Sequence, residues 1–541
     1  MMAVATEKTQ AVLEMTFSLA ELPTSQHRAG LAGLVLMLEW LDRQPDRAHG
    51  LCRLLACDER GATVQVDCKG MQRLFDSLYG ASQEERRVDK PYKKGKELVA
   101  PLRIDTEQVA NPKTGKVVEK NWYVYPVVVP TGAAQVDWAP SNDDPGKGWL
   151  KLWRDFVWSI LRGVPTQRGP YNDRSTGAPC GDADKEWTAL NTVRPRPAEL
   201  ASTYLVGTMA ATAENVPFKD VARFRFLLHF WPIVAQIHVP RTIDREGKAD
   251  ALGYALAIPD VARLRDFCDV LPATLKNRDA SAFGFRPREA FVDLAEESAL
   301  DCQRRLHVQL QTRLGAGATA DVVFGFDVFH MAKEGNNVRI LWSGRCEPTL
   351  QMVDDYGRLR SAYWSPLFRR QRLRNLFAGQ RWYEGFADLL RTVDWRVVMP
   401  GGDASEAAKQ FHHDTRQAFE HTEENMAEVR DSRTAEQLVY RAVGSYLSQK
   451  LKSKHDLTWQ AASGDQAGEQ KFSEARQKLA REVFLAVRSR TGADFIDYFA
   501  ATLYSVPHHM SEDVYADFAR ALYADPDRIR TLTLLALSAR A

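Results

Sequence analysis

LPTSQHRAGLAGLVLMLEWL, residues 22–41, is the stretch on which the reading of this chain turns. Pro23 breaks the segment before it, and Thr24 or Ser25 supplies a side-chain oxygen to cap a helix running to about Leu41. Leu31, Leu34, Val35, Leu38 and Leu41 recur at helical spacing and predict one apolar face. Ala29, Gly30, Ala32 and Gly33 are small enough to admit another backbone at close range. The apolar run Leu31–Leu38 is too short to span a bilayer and is closed by Glu39 and Asp42. Glu7, Glu14 and Glu21 ahead of it argue against a signal peptide. The expectation is a packing helix in a cytoplasmic protein with no membrane partner.

Outward from this helix, the chain has 541 residues, too many for one ordinary core. Its 72 Lys and Arg nearly balance its 70 Asp and Glu. That excludes a uniformly basic nucleic-acid-binding domain, so any contact with phosphate must come from local concentrations of charge. The seven cysteines form no CxxC pair and no trusted zinc spacing, which reads as reduced thiols in cores or strands.

Strand signals dominate the first part. Residues 11–20 read as a short strand, and CRLLACDERGATVQVDC (52–68) as a hairpin turning at Asp58–Gly61. A short helix is expected at about 71–79, and the charged run 84–97 reads as a solvated loop. Residues 101–130 look like two strands joined by ANPKTGKVVEKN, and 146–164 like an amphipathic helix ending in the loop PTQRGPYNDRSTGAPCGD. Further on, 224–240 reads as buried, 253–260 as a strand leading into a helix, and 322–348 as a hairpin around Glu334–Asn337. From about Ser405 strand signals vanish and helical periodicity runs to the end. The predicted class is therefore α+β: a mixed multi-domain N-terminal part followed by an all-α C-terminal bundle. The expected division is 1–215, 216–404 and 405–541.

No P-loop, GxSxG elbow or HExxH motif is present. FHHDTRQAFEHTEEN (411–425) carries His412, His413 and Asp414, which suggest a metal-dependent nuclease or phosphohydrolase as the alternative reading. The ordinary account of those residues, a solvated polar helix face, outweighs it, and neither a catalytic role nor a cofactor is expected. The basic features are more informative. LFRRQRLRNLFAGQRW (367–382) gathers Arg369, Arg370, Arg372, Arg374 and Arg381 among Phe368, Phe377 and Trp382, a composition that can track a phosphate backbone. Lys450, Lys452 and Lys454 on one predicted helix, and Lys471, Arg476, Lys478, Arg481, Arg488 and Arg490 on the next, form a basic stripe. Two loops carry side chains able to address base edges: Lys113, Lys116, Lys120 and Asn121 in the first, Gln167, Arg168, Asn172 and Arg174 in the second. A charged outer helix face explains the basic stretches about as simply, and an ordinary polar connection explains each loop, taken singly, better.

Four segments, the opening stretch at Leu22, LRGVPTQRGPY (161–171), HFWPIVAQIHVPRTIDREGKADALGYALAIPD (229–260) and KEGNNVRIL (333–341), together resemble the large subunit of CRISPR type I, Cascade-type effectors, in the Myxan-type, type I-B-like family. The resemblance implies a non-catalytic subunit beside the 5′ end of the CRISPR RNA. Such a subunit recognises the protospacer-adjacent motif on target double-stranded DNA, helps open it, and recruits a separate helicase–nuclease, or transposition proteins in a transposon-associated system. It implies backbone, RNA-end-capping and small subunits as partners, and a C-terminal bundle like the small subunit. The family has no catalytic motif to carry over, so the site residues rest on their local chemistry alone. By that chemistry the two loops would read the motif, Arg369, Arg370, Arg372 and Arg374 would meet nucleic-acid backbone, and the basic stripe would hold the displaced strand.

Overall fold

The computed structural model describes residues 12–45, 50–110, 117–161, 168–192, 197–200, 206, 218–315, 322–335, 337–401, 405–424, 434–505 and 512–541. The chain falls into two compact units, Met1–Pro240 with Gly253–Pro348, and Arg241–Leu252 with Thr349–Ala541.

The first unit is built around the opening helix, α1 (Ser25–Asp42), capped by the Thr24 side chain, which accepts from the His27 amide. Contrary to a one-faced amphipathic reading, α1 is buried almost all round, with Arg28 and Glu39 as its accessible positions before Asp42. Its small residues explain how. A Cβ on Gly30 would lie 2.3 Å from the Leu227 carbonyl oxygen, and one on Gly33 would lie 2.2 Å from that of Phe230. The short helices Ala222–Leu227 and Trp231–Val234 therefore press their backbones directly onto α1. Its polar first turn is tied down too. His27 is fully buried between the Thr24 hydroxyl (2.7 Å) and the Asp220 carboxylate (2.9 Å), while Arg28 reaches Asp260 at 2.7 Å.

Three antiparallel strands, β1 (Val12–Ser18), β2 (Cys52–Cys57) and β3 (Gly61–Asp67), pair in the order β1-β3-β2, and Asp67 caps the helix α2 (Cys68–Leu78). Four strands of a six-stranded second sheet, Gln236–Ile243, Tyr254–Val261, Val323–Glu334 and Asn337–Cys346, pair antiparallel in that order, and Phe291–Val292 adds a parallel pairing to the first. Tyr254–Val261 is buried from Ala255 onward, as an almost unbroken apolar run requires. The third sheet joins β4 (Ala81–Val88), β7 (Arg103–Ala110) and β8 (Val117–Pro130) in the order β4-β8-β7. A two-strand turn, β5 (Lys93–Lys94) with β6 (Glu97–Leu98), lies between β4 and β7. Residues 84–88 thus form a strand, not a loop. Two of their charges, Glu85 and Arg87, meet opposite charges on β7 across the sheet. All seven cysteines are free thiols, and burial pushes Cys52 up to about 12 and Cys57 to about 11, which suits packing and not nucleophilic chemistry.

The second unit is helical from Leu350 onward, earlier than Ser405, with the hairpin Arg241–Leu252 beside it in the same unit. Its hub is the terminal helix Pro526–Arg540, whose residues Ile529–Ala539 are all buried. Around it pack the helices Phe386–Thr392, Glu406–Glu424, Ala435–His455 and Gln466–Arg488. Among the described residues, no helix is long and apolar enough to cross a membrane.

Candidate nucleic-acid interface

The candidate residues separate once backbone geometry is imposed. Lys113, Lys116 and Gln167 lie outside the described residues. Lys120 and Asn121 sit on β8, opposite Glu107 and Thr106 of β7. Because side chains alternate along a strand, the two project from opposite faces. Lys120 shares its face with Trp122, its ammonium 3.9 Å from that ring's centroid. The rest of that face is a lattice of opposite charges: Arg103 with Glu85 (2.6 Å) and Asp105 (3.1 Å), Arg87 with Asp105 (3.4 Å) and Glu107 (3.6 Å). Exposed pairs of this kind contribute little to stability, and they hold the face near neutrality. On the other face, Asn121 accepts from the Thr106 hydroxyl at 3.1 Å and is exposed.

The second loop is a helix in its described part, α5 (Arg168–Ser175), following α3 (Ala133–Asp137) and α4 (Trp149–Ser159). Arg168 donates two hydrogen bonds to the Trp158 carbonyl (3.2 and 2.9 Å) and lies 4.6 Å from the Trp158 ring centroid. Arg174 donates to the Ala178 carbonyl at 2.8 Å and pairs with Asp76 at 3.5 Å. Both guanidinium groups fasten the chain locally, whereas Asn172 is exposed. Replacing Arg168 with Ala should therefore lower the stability of the chain by about 1–3 kcal/mol in denaturant unfolding, with Lys a poor substitute because it cannot form the fork or the flat stack. An unchanged unfolding midpoint would contradict the fastening role.

Four arginines of the cluster lie in the helix Pro366–Phe377, which scatters them, and Arg381 follows it. Arg369 reaches the Tyr363 carbonyl at 3.5 Å, and Arg370 is half-buried. Arg374 and Arg381 are exposed, the latter donating to the Tyr383 hydroxyl at 2.9 Å. Arg372 is different. Its guanidinium carbon lies 5.6 Å from the ring centroids of both Tyr363 and Trp382, and it lines a groove of about 660 Å³. The Nε of Arg372 and the indole Nε1 of Trp382 are buried donors with no acceptor. Burial pulls the guanidinium below its ordinary value, opposed by Tyr363 and Asp355. Leaving a buried donor unsatisfied typically costs about 1–3 kcal/mol, so the arrangement asks for an explanation.

The HD-type cluster lies beside this helix. Asp414 is buried and accepts from the backbone amides of Trp364 (3.0 and 2.9 Å) and Ser365 (2.6 Å), at the start of the arginine helix. Burial pushes its carboxyl up while those amides pull it down. His413 stacks flat on Trp364, centroids 4.0 Å apart, and His412 contacts the Ser538 carbonyl at 2.6 Å. These three side chains are committed to packing. Among the described residues, no group of three or more His, Cys, Asp or Glu could hold a metal ion.

In the bundle, Lys452 and Lys454 are exposed in the last turns of the helix Ala435–His455, and Lys450 lies half-buried with its ammonium 5.7 Å from the Tyr446 ring centroid. Lys452 lines a groove of about 370 Å³ together with Gln449, Gln460 and Trp459, whose ring is 57% exposed. A cation beside an open aromatic is the pairing single strands favour. Lys471 and Lys478 are exposed seven residues apart on one face of Gln466–Arg488. Two arginines of the same helix are used internally, while Arg481 is half-buried. Arg481 lies over Trp395 at 5.3 Å, Arg476 donates to the Arg540 carbonyl at 2.6 Å, and Arg488 donates to that of Val393. Neither Trp459, which is exposed, nor Tyr363, which is buried against Arg372, is legible in the sequence, where an isolated aromatic carries no signal of its surroundings.

With this geometry in view, family comparison is decisive. Residues 51–316 match the model of the type I-B CRISPR Cas8b N-terminal domain, and residues 323–540 match that of the Cas8b C-terminal domain. The chain belongs to the Cas8b family. Cas8b is the large subunit of a type I-B Cascade, generally a non-catalytic one, and works with other components of a CRISPR effector. The two Cas8b models abut where the hairpin Val323–Cys346 begins, so the C-terminal one takes in that hairpin as well as the helices. No curated protein matches the chain.

Proposed function

We propose that this Cas8b chain binds the protospacer-adjacent motif duplex, helps unwind the target and stabilise the R-loop, and recruits the helicase–nuclease, or serves as a transposition adaptor in a transposon-associated system. The match to both Cas8b domains along nearly the whole chain carries the reading. Its partners are then CRISPR RNA, target double-stranded DNA, and the backbone, RNA-end-capping and small subunits of the effector. Guide pairing supplies sequence, and the protein supplies motif recognition and backbone contacts.

Lys120 and Asn121 on the β7–β8 hairpin, with Lys113 and Lys116 from its connection, are the first choice for motif reading. Gln167, Arg168, Asn172 and Arg174 are the second, with the arginines fastening the helix that presents Asn172. Lys450, Lys452, Lys454, Lys478 and Arg481, with Arg369, Arg370, Arg372, Arg374 and Arg381, meet phosphate without reading sequence.

The roles separate by salt and by sequence. Replacing Lys452, Lys454, Lys471 and Lys478 with Ala in the assembled effector should weaken DNA binding alike for all sequences. It should also flatten the dependence on salt, by roughly 0.7–0.9 in slope for each phosphate no longer neutralised. An unchanged slope counts against the backbone role. Replacing Lys120 and Asn121 with Ala should instead lower preference for the motif duplex over a scrambled one by about ten-fold, and an unchanged preference removes this hairpin from motif reading.

A further inference from the structure

The groove at Arg372 is not explained by packing. Several arginines of the helical unit reach backbone carbonyls: Arg476 that of Arg540, Arg488 that of Val393, Arg530 that of Arg488. Arg372 has no hydrogen bond or ion pair among the described residues and meets only two ring faces. Asp355, the carboxylate on the groove wall, is already engaged by Arg358 at 2.8 Å and Gln351 at 3.1 Å. The groove is thus left with a desolvated cation whose counter-charge is missing, beside aromatic walls and the polar side chains of Ser361, Gln380 and Gln417.

The chemistry that satisfies all of these at once is a nucleotide. A phosphate answers the cation, a base answers the aromatic face, and amide side chains at the rim suit the polar edge of a base. An acidic peptide would answer only the charge. The volume, about 660 Å³, falls in the range of small-molecule sites. We propose that the groove between Tyr363, Arg372 and Trp382 receives a single unstacked nucleotide of a single-stranded nucleic acid, its phosphate on Arg372 and its base against the aromatic wall. This rests on the nucleic-acid-binding reading above and gives that binding a discrete pocket.

The test uses the full chain and an oligothymidylate carrying 4-thiothymidine, with binding followed by anisotropy and photo-crosslinks mapped by mass spectrometry. Wild type should bind and crosslink at Tyr363 or Trp382. Arg372→Gln, at an unchanged unfolding midpoint, should weaken binding about ten-fold or more and abolish that crosslink. An abasic oligomer should bind more weakly than oligothymidylate, and inorganic phosphate should compete only weakly. If wild type binds but crosslinks elsewhere and Arg372→Gln binds equally, the pocket is overturned while nucleic-acid binding stands. If abasic oligomer, phosphate and polyglutamate compete as well as oligothymidylate, the site is a simple anion site and the nucleotide is overturned. If wild type binds no oligomer, the pocket and the reading beneath it fall together. Should Arg372→Gln fail to fold, the crosslink position on wild type decides alone.

Discussion

Replacing Gly33 with Val should destabilise the chain by about 3 kcal/mol or more, and Gly30→Val should do nearly the same. In both cases the new Cβ meets a backbone carbonyl oxygen, at 2.2 Å from Phe230 and 2.3 Å from Leu227, and both residues are fully buried, so these carbonyls cannot swing away. The helix itself also has nowhere to go, since α1 is buried against helices on one side and against the strand Tyr254–Val261 on another. Gly169→Ala is the matched control. A Cβ there meets nothing within 4 Å, and Ala in an exposed helical position is neutral or mildly favourable. Thermal unfolding of the three variants checks this. Equal midpoints for Gly33→Val and wild type would mean that α1 is not packed backbone-to-backbone.

The second large effect is expected at Asp414. Asp414→Ala removes the acceptor for two backbone amides at the start of the arginine helix, in a site closed to water. The loss should be about 2–4 kcal/mol, and Asp414→Asn, which keeps one carbonyl acceptor, should lose less. The outcome distinguishes a cap from a catalytic carboxylate. A cap predicts reduced stability in denaturant unfolding in proportion to the acceptors removed. A phosphohydrolase site would show full stability, with metal-dependent DNA cleavage abolished in both variants. That second outcome would revive the enzyme reading.

Much of the fold was legible because its signals are local. Thr24 as a cap, the turn at Asp58–Gly61, the apolar run at 254–261 and the hairpin at 323–346 each depend on neighbours in sequence. The burial of α1 on all sides was not legible, because it follows from contacts such as His27 with Asp220 and Ser25 with Asp327, hundreds of residues apart. The strand at 84–88 read as a loop because its charges look solvated until Glu85 is seen paired with Arg103 of β7. The interface was legible as composition and not as arrangement. Four of the five arginines in sixteen residues became separate environments once wound into a helix, because 100° per residue points neighbours apart, and Arg381 falls beyond its end. What set Arg372 apart was its burial between Tyr363 and Trp382, which no spacing announces.

The claim on which the rest depends is that this Cas8b chain confers motif-dependent duplex binding on the effector. The direct measurement is the affinity of the reconstituted effector, loaded with CRISPR RNA, for a matching target duplex with a functional or a scrambled flanking motif, with and without this chain. The account predicts tight binding only when the chain and the motif are both present. Binding of the functional duplex that is equally tight without the chain, or indifferent to the motif with it, would contradict it.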